Sequence, residues 1–392
     1  MNLEKCHNQS DLRKAAKKRL PSPIFNYIDG GADDEWTLKR NTLAFDDYEL
    51  LPRYLRDVDQ VDLKTHVLGT TLDLPIFLSP TGMSRLFHHH REIAVAQAAE
   101  KYGTLYSLST LGTASIEEIA KVSSGPKMFQ IYILKDRELT LEFTQRCKDS
   151  DYDVMCLTVD TALAGNRERD LVSGFTMPPR FSLASLWSFV THPYWTMHLA
   201  LNPDFELKNV AHRVDAIGKK GTVSLINYIN EQLDRTVTWD DAAWLAEQWG
   251  GPFVIKGLQT ADDAKRAVDA GASAIMISNH GGRQLESAPA PVDCIVPIRE
   301  AVGDSLELIV DGGVRRGTHI IKALALGANA CSSGRGYLYG LSAGGQKGVE
   351  RALELYRSEL LRDMALLGCT KISDINAEFI RKVAGNRNGK SS

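Results

Sequence analysis

No run of about 18 apolar residues occurs in the 392-residue chain, so no segment has the length and character to cross a bilayer as a helix. Residues Met1 to Leu20 are charged and amphipathic. They lack the uninterrupted apolar core and small-residue cleavage site of a secretory signal, and export by that route is not expected. Positive charge is not in excess: 46 Lys and Arg stand against 49 Asp and Glu. There is no overall field to draw in a polyanion, so nucleic acid is not an expected partner, although a local basic pocket can still hold one phosphate. Only six cysteines occur, Cys6, Cys147, Cys156, Cys294, Cys331 and Cys369, without CxxC spacing. Three lie in strand-like or helical apolar runs, which fits buried thiols in a reducing cytosol. Also missing is a GxGxxG that opens a helix after an early strand, so a Rossmann-type nicotinamide site is not indicated. The triplet His88-His89-His90 has no Cys or carboxylate set beside it. Consecutive side chains on a helix or strand point different ways, so a solvated loop and no metal are expected there.

What the chain does contain is a repeat. Short, continuously apolar runs such as IFLS, VMCLTVD, FVIKG and AIMISN alternate with longer amphipathic ones, the form taken by parallel strands covered on both faces and the helices that cover them. Eight strands are predicted: Leu74–Ser79, Thr104–Thr110, Met128–Leu134, Val154–Asp160, Pro252–Gly257, Ala274–Asn279, Leu306–Asp311 and Ala328–Ser333. Helices are predicted at Arg91–Tyr102, Ser115–Val122, Arg137–Lys148, Asp262–Ala270 and Gly317–Leu326. Eight such units close into a (β/α)8 TIM barrel, one domain over residues 1–385. An N-terminal helical cap (1–73) and C-terminal closing helices (346–385) lie outside the repeat, as does a disordered tail (386–392). The connection after the fourth strand, about 168–238, is an outlier in length and is expected to be functional or mobile.

Barrel chemistry sits at the C-terminal ends of the strands, and the unusual polar residues cluster there. They are Pro80-Thr81-Gly82, Ser109-Thr110, Gln130 and Tyr132, Thr158 and Asp160, Lys256, Ser278 to Arg283, Asp311 to Arg315, and Gly334-Arg335. A buried cation is costly unless paired, so Lys256, Arg283, Arg315 and Arg335 imply more than one anionic tenant. The glycine-rich turns DGGVRRG and SGRG, after strands seven and eight, offer backbone N–H groups to a phosphate, with Arg315 and Arg335 as matching charges.

At SNHGGRQL (278–285) the chain resembles the FMN-dependent L-2-hydroxy acid oxidases and dehydrogenases, the family of glycolate oxidase, L-lactate dehydrogenase and mandelate dehydrogenase. YIDGGADDE, LSPTG, LST, FQIY, LTVD, GNRERD, VIKG and DGGVRRG follow in that family's order, from about Arg13 to Leu367. The resemblance implies FMN as cofactor and His280 as the base that removes a proton from the substrate, with Asp160 partnering its imidazolium. It implies that Tyr27, Arg283 and Arg167 hold the substrate carboxylate, that Tyr132 hydrogen-bonds the hydroxyl, and that Lys256 lies against flavin N1 and the C2 carbonyl. Gln130, Thr158, Ser109 and Ser278 are implied at the pyrimidine edge or ribityl chain, Thr81 and Gly82 at the ring, and Asp311 at the ribityl chain. Gly313, Arg315, Gly334 and Arg335 are implied at the phosphate, and Leu111 at the substrate side chain. The family's pattern is departed from at Gly82, where many oxidases have Ala, at Glu286, where Asp is more common, and at Gly336.

These residues lead to an expected oxidation of a lactate-like L-2-hydroxy acid, with electrons passed to a quinone or another acceptor. The rival readings are a soluble oxidase that releases hydrogen peroxide, and a mandelate-type substrate. Residues 181–203 carry no Lys, Arg, Asp or Glu but do carry Trp187, Phe189, Tyr194 and Trp195. An interfacial element with aromatic anchors is expected there, making the protein a peripheral one on the inner face of the cell membrane, with a lid or an oligomer contact as the alternative reading of the same segment. A homo-oligomer, a tetramer by resemblance, is expected.

Overall fold

In the computed structural model, residues 2–176, 180–201, 205–216 and 231–383 are described. Eight parallel strands close on themselves: β1 (Ile76–Thr81), β2 (Tyr106–Ser109), β3 (Lys127–Ile131), β4 (Val154–Thr158), β5 (Phe253–Leu258), β6 (Ala274–Ser278), β7 (Glu307–Asp311) and β8 (Ala330–Ser333). Each pairs with its sequence neighbour, and β8 returns to β1 through Cys331 opposite Ile76. All eight predicted strands exist, with their ends displaced by at most three residues. The barrel helices also match to within about a residue, and their caps explain why. Ser115 and Glu118 form a capping box, Asp136 accepts the N–H of Leu139, and Thr260 accepts that of Asp263 ahead of Ala261–Asp269.

The barrel interior is a packed core. Phe77, Met128, Val154, Cys156, Val254, Met276 and Ile309 fill it, with Val67, Leu68 and Leu72 closing its N-terminal end. Those last three belong to an antiparallel pair, Thr65–Val67 with Thr70–Leu72, so the cap is not wholly helical. Its helices are α1 (Gln9–Arg19), α2 (Ser22–Asp29) and α3 (Trp36–Leu43). Glu286, one of the departures from the family pattern, caps α3 by accepting the N–H of Trp36 at 2.6 Å.

The C-terminal expectation is corrected in the same way. The closing helix starts at the end of β8 and runs as Arg335–Leu367, with a break at Gly344–Gly345, where the backbone leaves helical values. After it come two short 3-10 turns and a strand, Ile380–Lys382, which pairs with Tyr48–Leu50 of the cap and ties the two chain ends together. The tail 386–392 lies outside the described residues.

The long connection after β4 holds α4 (Glu168–Ser173), α5 (Leu183–Thr191), α6 (Pro193–Leu201) and a short helix at Ala211–Ala216. Among the described residues no helix is long and apolar enough to cross a membrane. Of the four expected aromatic anchors, Trp187 is 67% exposed, whereas Trp195 is buried and donates its indole N–H to the carbonyl of Leu86 at 2.7 Å. Phe189 packs between Phe181 and Trp195, and Tyr194 lies beneath the guanidinium of Arg19. The exposed apolar surface is made by other side chains as well: Leu183, Val190, Met197 and Leu201 on α5 and α6, and Leu171 and Val172 on α4.

Candidate active site

Strand register decides which side chains meet at the mouth of the barrel. Asp311 on β7 stands opposite Ser278 on β6 and Ser332 on β8, Thr158 opposite Lys256, and Ser109 opposite Gln130. Asp311 accepts hydrogen bonds from Ser79 (2.8 Å), Ser332 (2.7 Å) and Ser278 (2.7 Å) and pairs with the Lys256 ammonium at 3.2 Å. Burial alone would raise this carboxyl, but the Lys256 charge and the hydroxyl donors overcome it and hold Asp311 at about 2. Burial pushes Lys256 the other way, and Asp311 and Asp160 more than offset it, so the ammonium stays charged in the interior. Lys256 also donates to Ser278 at 3.1 Å.

His280 follows β6 in a left-handed conformation, φ 57°, which turns its ring toward the cavity. Its Nδ1 lies 2.9 Å from Asp160 Oδ1, and its backbone N–H donates to Ser278 Oγ at 3.0 Å. Asp160 is drawn below its ordinary value: burial opposes this, and the charges of His280 and Lys256 prevail. Gln284 donates to the carbonyls of Asp160 and Leu163, both at 2.8 Å, and so fixes the loop that carries Asp160.

The cap supplies the opposite wall. Ile24, Phe25 and Ile28 of α2 face the core, which leaves Tyr27 on the cavity side. The last carbonyls of a helix lack intrahelical donors, and here guanidiniums satisfy them. Arg283 donates to the Tyr27 carbonyl at 2.5 Å, and Arg335 donates to Ile28, Gly30 and Gly281, each at 2.8 Å. Arg283 lies over the Tyr27 ring at 5.0 Å, and Arg167 lies near it at 5.6 Å while its Nε pairs with Asp170 at 2.7 Å. Burial lowers Arg283, and the Arg167 charge lowers it further, so an anion bound between the two guanidiniums is stabilised by both. Burial together with neighbouring charges raises Tyr132 to about 12, so its phenol stays protonated.

These residues enclose a cavity of about 910 Å³. Tyr27, Thr81, Gly82, Ser109, Leu111, Gln130, Tyr132, Thr158, Arg167, Lys256, His280, Arg283, Asp311, Gly313, Arg315, Gly334 and Arg335 all line it. Asp160 stands behind His280, and Ser278 lies beneath Lys256. The cavity fits a bound flavin mononucleotide on two observations. Gln130 Nε2 and Thr158 Oγ1 are buried without a partner, as donors and acceptors intended for a polar ligand would be. At the other end, Gly313 (φ 77°) and Gly334 bring bare backbone to the cavity beside Arg315 and the N-terminus of Arg335–Leu367, an anion site.

Comparison with known proteins gives the same answer. The model of the FMN-dependent dehydrogenase family matches residues 16–382. This chain belongs to that family. An L-lactate oxidase from Nostoc is 42% identical over 377 residues, covering 95% of this chain and 97% of its own. Glycolate oxidase 3 of Oryza sativa subsp. indica is 37% identical over 379 residues, covering 96% and 97%. Among solved structures, the monotopic membrane protein (S)-mandelate dehydrogenase superposes with a TM-score of 0.91 at 33% identity, covering 96% of this chain and 99% of its own. As in the family, the cofactor is FMN.

Some residues of this family member's site went unread in the sequence. Ser79 and Ser332, both donors to Asp311, sit on strands flanking known site positions, and inward alternation along β1 and β8 would have found them. Phe87 and Phe175 carry no such signal. They line the cavity and bracket Tyr27, with centroids 6.3 Å and 5.0 Å from its ring, and only the tertiary fold brings them there.

Proposed function

We propose that the chain oxidises a lactate-like L-2-hydroxy acid to the 2-oxo acid, with His280 as base. The reading is carried by one observation: the His280–Asp160 pair and the Arg283–Tyr27–Arg167 group meet at the same cavity. Arg283 and Arg167, with the Tyr27 hydroxyl, hold the carboxylate, which orients the α-carbon between base and cofactor. His280 takes the proton from the α-carbon, or from the hydroxyl, and Asp160 stabilises the imidazolium that results. Tyr132, protonated, donates to the substrate hydroxyl oxygen. FMN, when bound, accepts the two electrons. Gln130, Thr158, Ser109 and Ser278 serve its pyrimidine and ribityl edges with Asp311, Thr81 and Gly82 its ring, and Gly313, Arg315, Gly334 and Arg335 its phosphate. Lys256 supplies fixed positive charge where negative charge grows on reduction.

Leu111 gives the side-chain subsite a modest aliphatic wall, which suits lactate. A mandelate-type substrate is the second reading, favoured by Phe87 and Phe175 beside Tyr27. Anaerobic bleaching of the bound flavin across a panel of short, branched and aromatic L-2-hydroxy acids tests both: rapid reduction by L-lactate is expected, and failure with every member rejects the function.

The acceptor we propose is a membrane quinone, reached from the inner face of the cell membrane through the exposed apolar side chains of α5 and α6, in a homo-oligomer, a tetramer by family resemblance. Turnover on a quinone analogue that exceeds peroxide formation at air saturation supports this, and rapid stoichiometric peroxide makes the chain an oxidase instead.

A further inference from the structure

Four of the chain's ten histidines gather at a single place outside the flavin cavity. His88, His89 and His90 follow β1, and their ring centroids are 4.3 Å (88 to 89), 4.1 Å (89 to 90) and 5.0 Å (88 to 90) apart. One ring nitrogen from each lies within 4.8 Å of those of the other two. The sequence expectation of divergent side chains assumed a helix or strand. The three residues instead occupy a turn that ends at Arg91 with φ 42°, and a turn lets successive side chains converge. The His90 backbone N–H donates to His88 Nδ1 at 3.2 Å, which places the proton of the neutral ring on Nε2, so an ion takes this ring either at Nδ1 in place of that bond or at Nε2 in the other tautomer. His198 of α6 stacks on His89, 4.2 Å away and within 2° of parallel.

We propose that His88, His89 and His90 form a binding site for one borderline divalent transition ion, Zn2+ foremost, and this reverses the expectation of no metal. A donor set of imidazoles alone selects such an ion over Mg2+ or Ca2+, which take oxygen. Zn–N bonds of about 2.0–2.1 Å place tetrahedral ligand nitrogens about 3.4 Å apart, so each ring has less than about 1 Å to move. Two cations face the same cluster. Arg85 donates to the His198 carbonyl at 3.3 Å, and Arg19 lies over the Tyr194 ring at 3.5 Å. Their charge opposes any cation there, and only strong bonds to nitrogen can offset it. An ion there fixes the conformation of the loop that carries Phe87, on the cavity wall.

The test uses the untagged, FMN-loaded full chain, because oxidised flavin is silent in electron paramagnetic resonance. Titration with Cu2+ is expected to give one equivalent with nitrogen splitting, displaced by Zn2+, and calorimetry is expected to give one Zn2+ per chain. His89→Gln and His90→Gln, both at partly exposed positions, are each expected to weaken Zn2+ by at least the roughly tenfold that loss of even an outer-shell partner costs. His212→Gln, at a separate histidine paired with Glu142, is expected to leave the affinity unchanged. Absence of Zn2+ binding by the parent, or an affinity that survives in the H89Q/H90Q double variant, overturns the proposal.

Discussion

His280, just after β6, and Lys256, on β5, are proposed to act on different steps, and substitution separates them. His280→Gln keeps every contact that retains the flavin, since its ring bonds only to Asp160 among the described side chains. The yellow protein is expected to persist while its anaerobic reduction slows by more than about 100-fold, about 3 kcal/mol, the scale of a removed general base; stopped-flow absorbance measures this, and reduction at the parent rate removes His280 from the role. Lys256→Met acts differently. It leaves Asp311 as a buried carboxylate without its ammonium, a loss of about 3–5 kcal/mol in stability, together with weaker flavin retention. Urea midpoints and flavin content after dialysis are expected to fall together, and an unchanged midpoint refutes the ion pair as a stabilising element.

Secondary-structure elements add what single residues cannot, because the proposed substrate clamp draws on more than one of them. Arg169 at the start of α4 donates to Asp29 at the end of α2 (2.9 Å) and to Glu35 before α3 (2.5 Å), while Asn166 donates to Asp33 at 2.8 Å. The loop that carries Arg167 is thereby fastened to the helix that carries Tyr27. Asp29 keeps Arg13 and Tyr339 when Arg169 is lost, so Arg169→Met is expected to fold. With Arg167 and Tyr27 less well placed, KM is expected to rise about tenfold with kcat changed little, since carboxylate binding serves ground and transition states alike. KM and kcat both at the parent values exclude a positioning role, and a fall in kcat at constant KM means that the fastening serves orientation of the reacting carbon and not carboxylate binding. At this scale much was legible from the sequence: apolar runs of six or so residues ending in Gly or a polar group marked every barrel strand, and amphipathic runs marked the helices whose starts Ser115, Asp136 and Thr260 cap. What was not legible depends on contacts between distant segments. Tyr48–Leu50 and Ile380–Lys382 become strands only by pairing with each other over 300 residues, and Trp195 reads as an anchor until the Leu86 carbonyl is placed beside it.

The molecule as a whole is held by two buried carboxylates that join its parts. Asp311 binds four strands at the barrel mouth, through Ser79, Lys256, Ser278 and Ser332, and Asp29 binds α1, α4 and the C-terminal helix, through Arg13, Arg169 and Tyr339. For both, burial would raise the pKa, and the attached cations and donors bring it down to about 2. An unfolded aspartate titrates near 3.9. The folded value is the lower one, so the unfolded state takes up protons first as pH falls. The stabilisation is complete above about pH 4 and is lost on descending from there toward pH 2, about 3 kcal/mol for each group. Urea midpoints followed by far-UV circular dichroism are therefore expected to show a steep decline confined to that acid window from these groups. Asp29→Asn is expected to start from a lower midpoint at pH 7 and to decline less steeply, because the titrating group is gone while Arg13 and Arg169 lose their charge partner at every pH. A parallel decline in parent and variant would mean that Asp29 is not the carboxylate that couples cap, insertion and C-terminal helix to protonation.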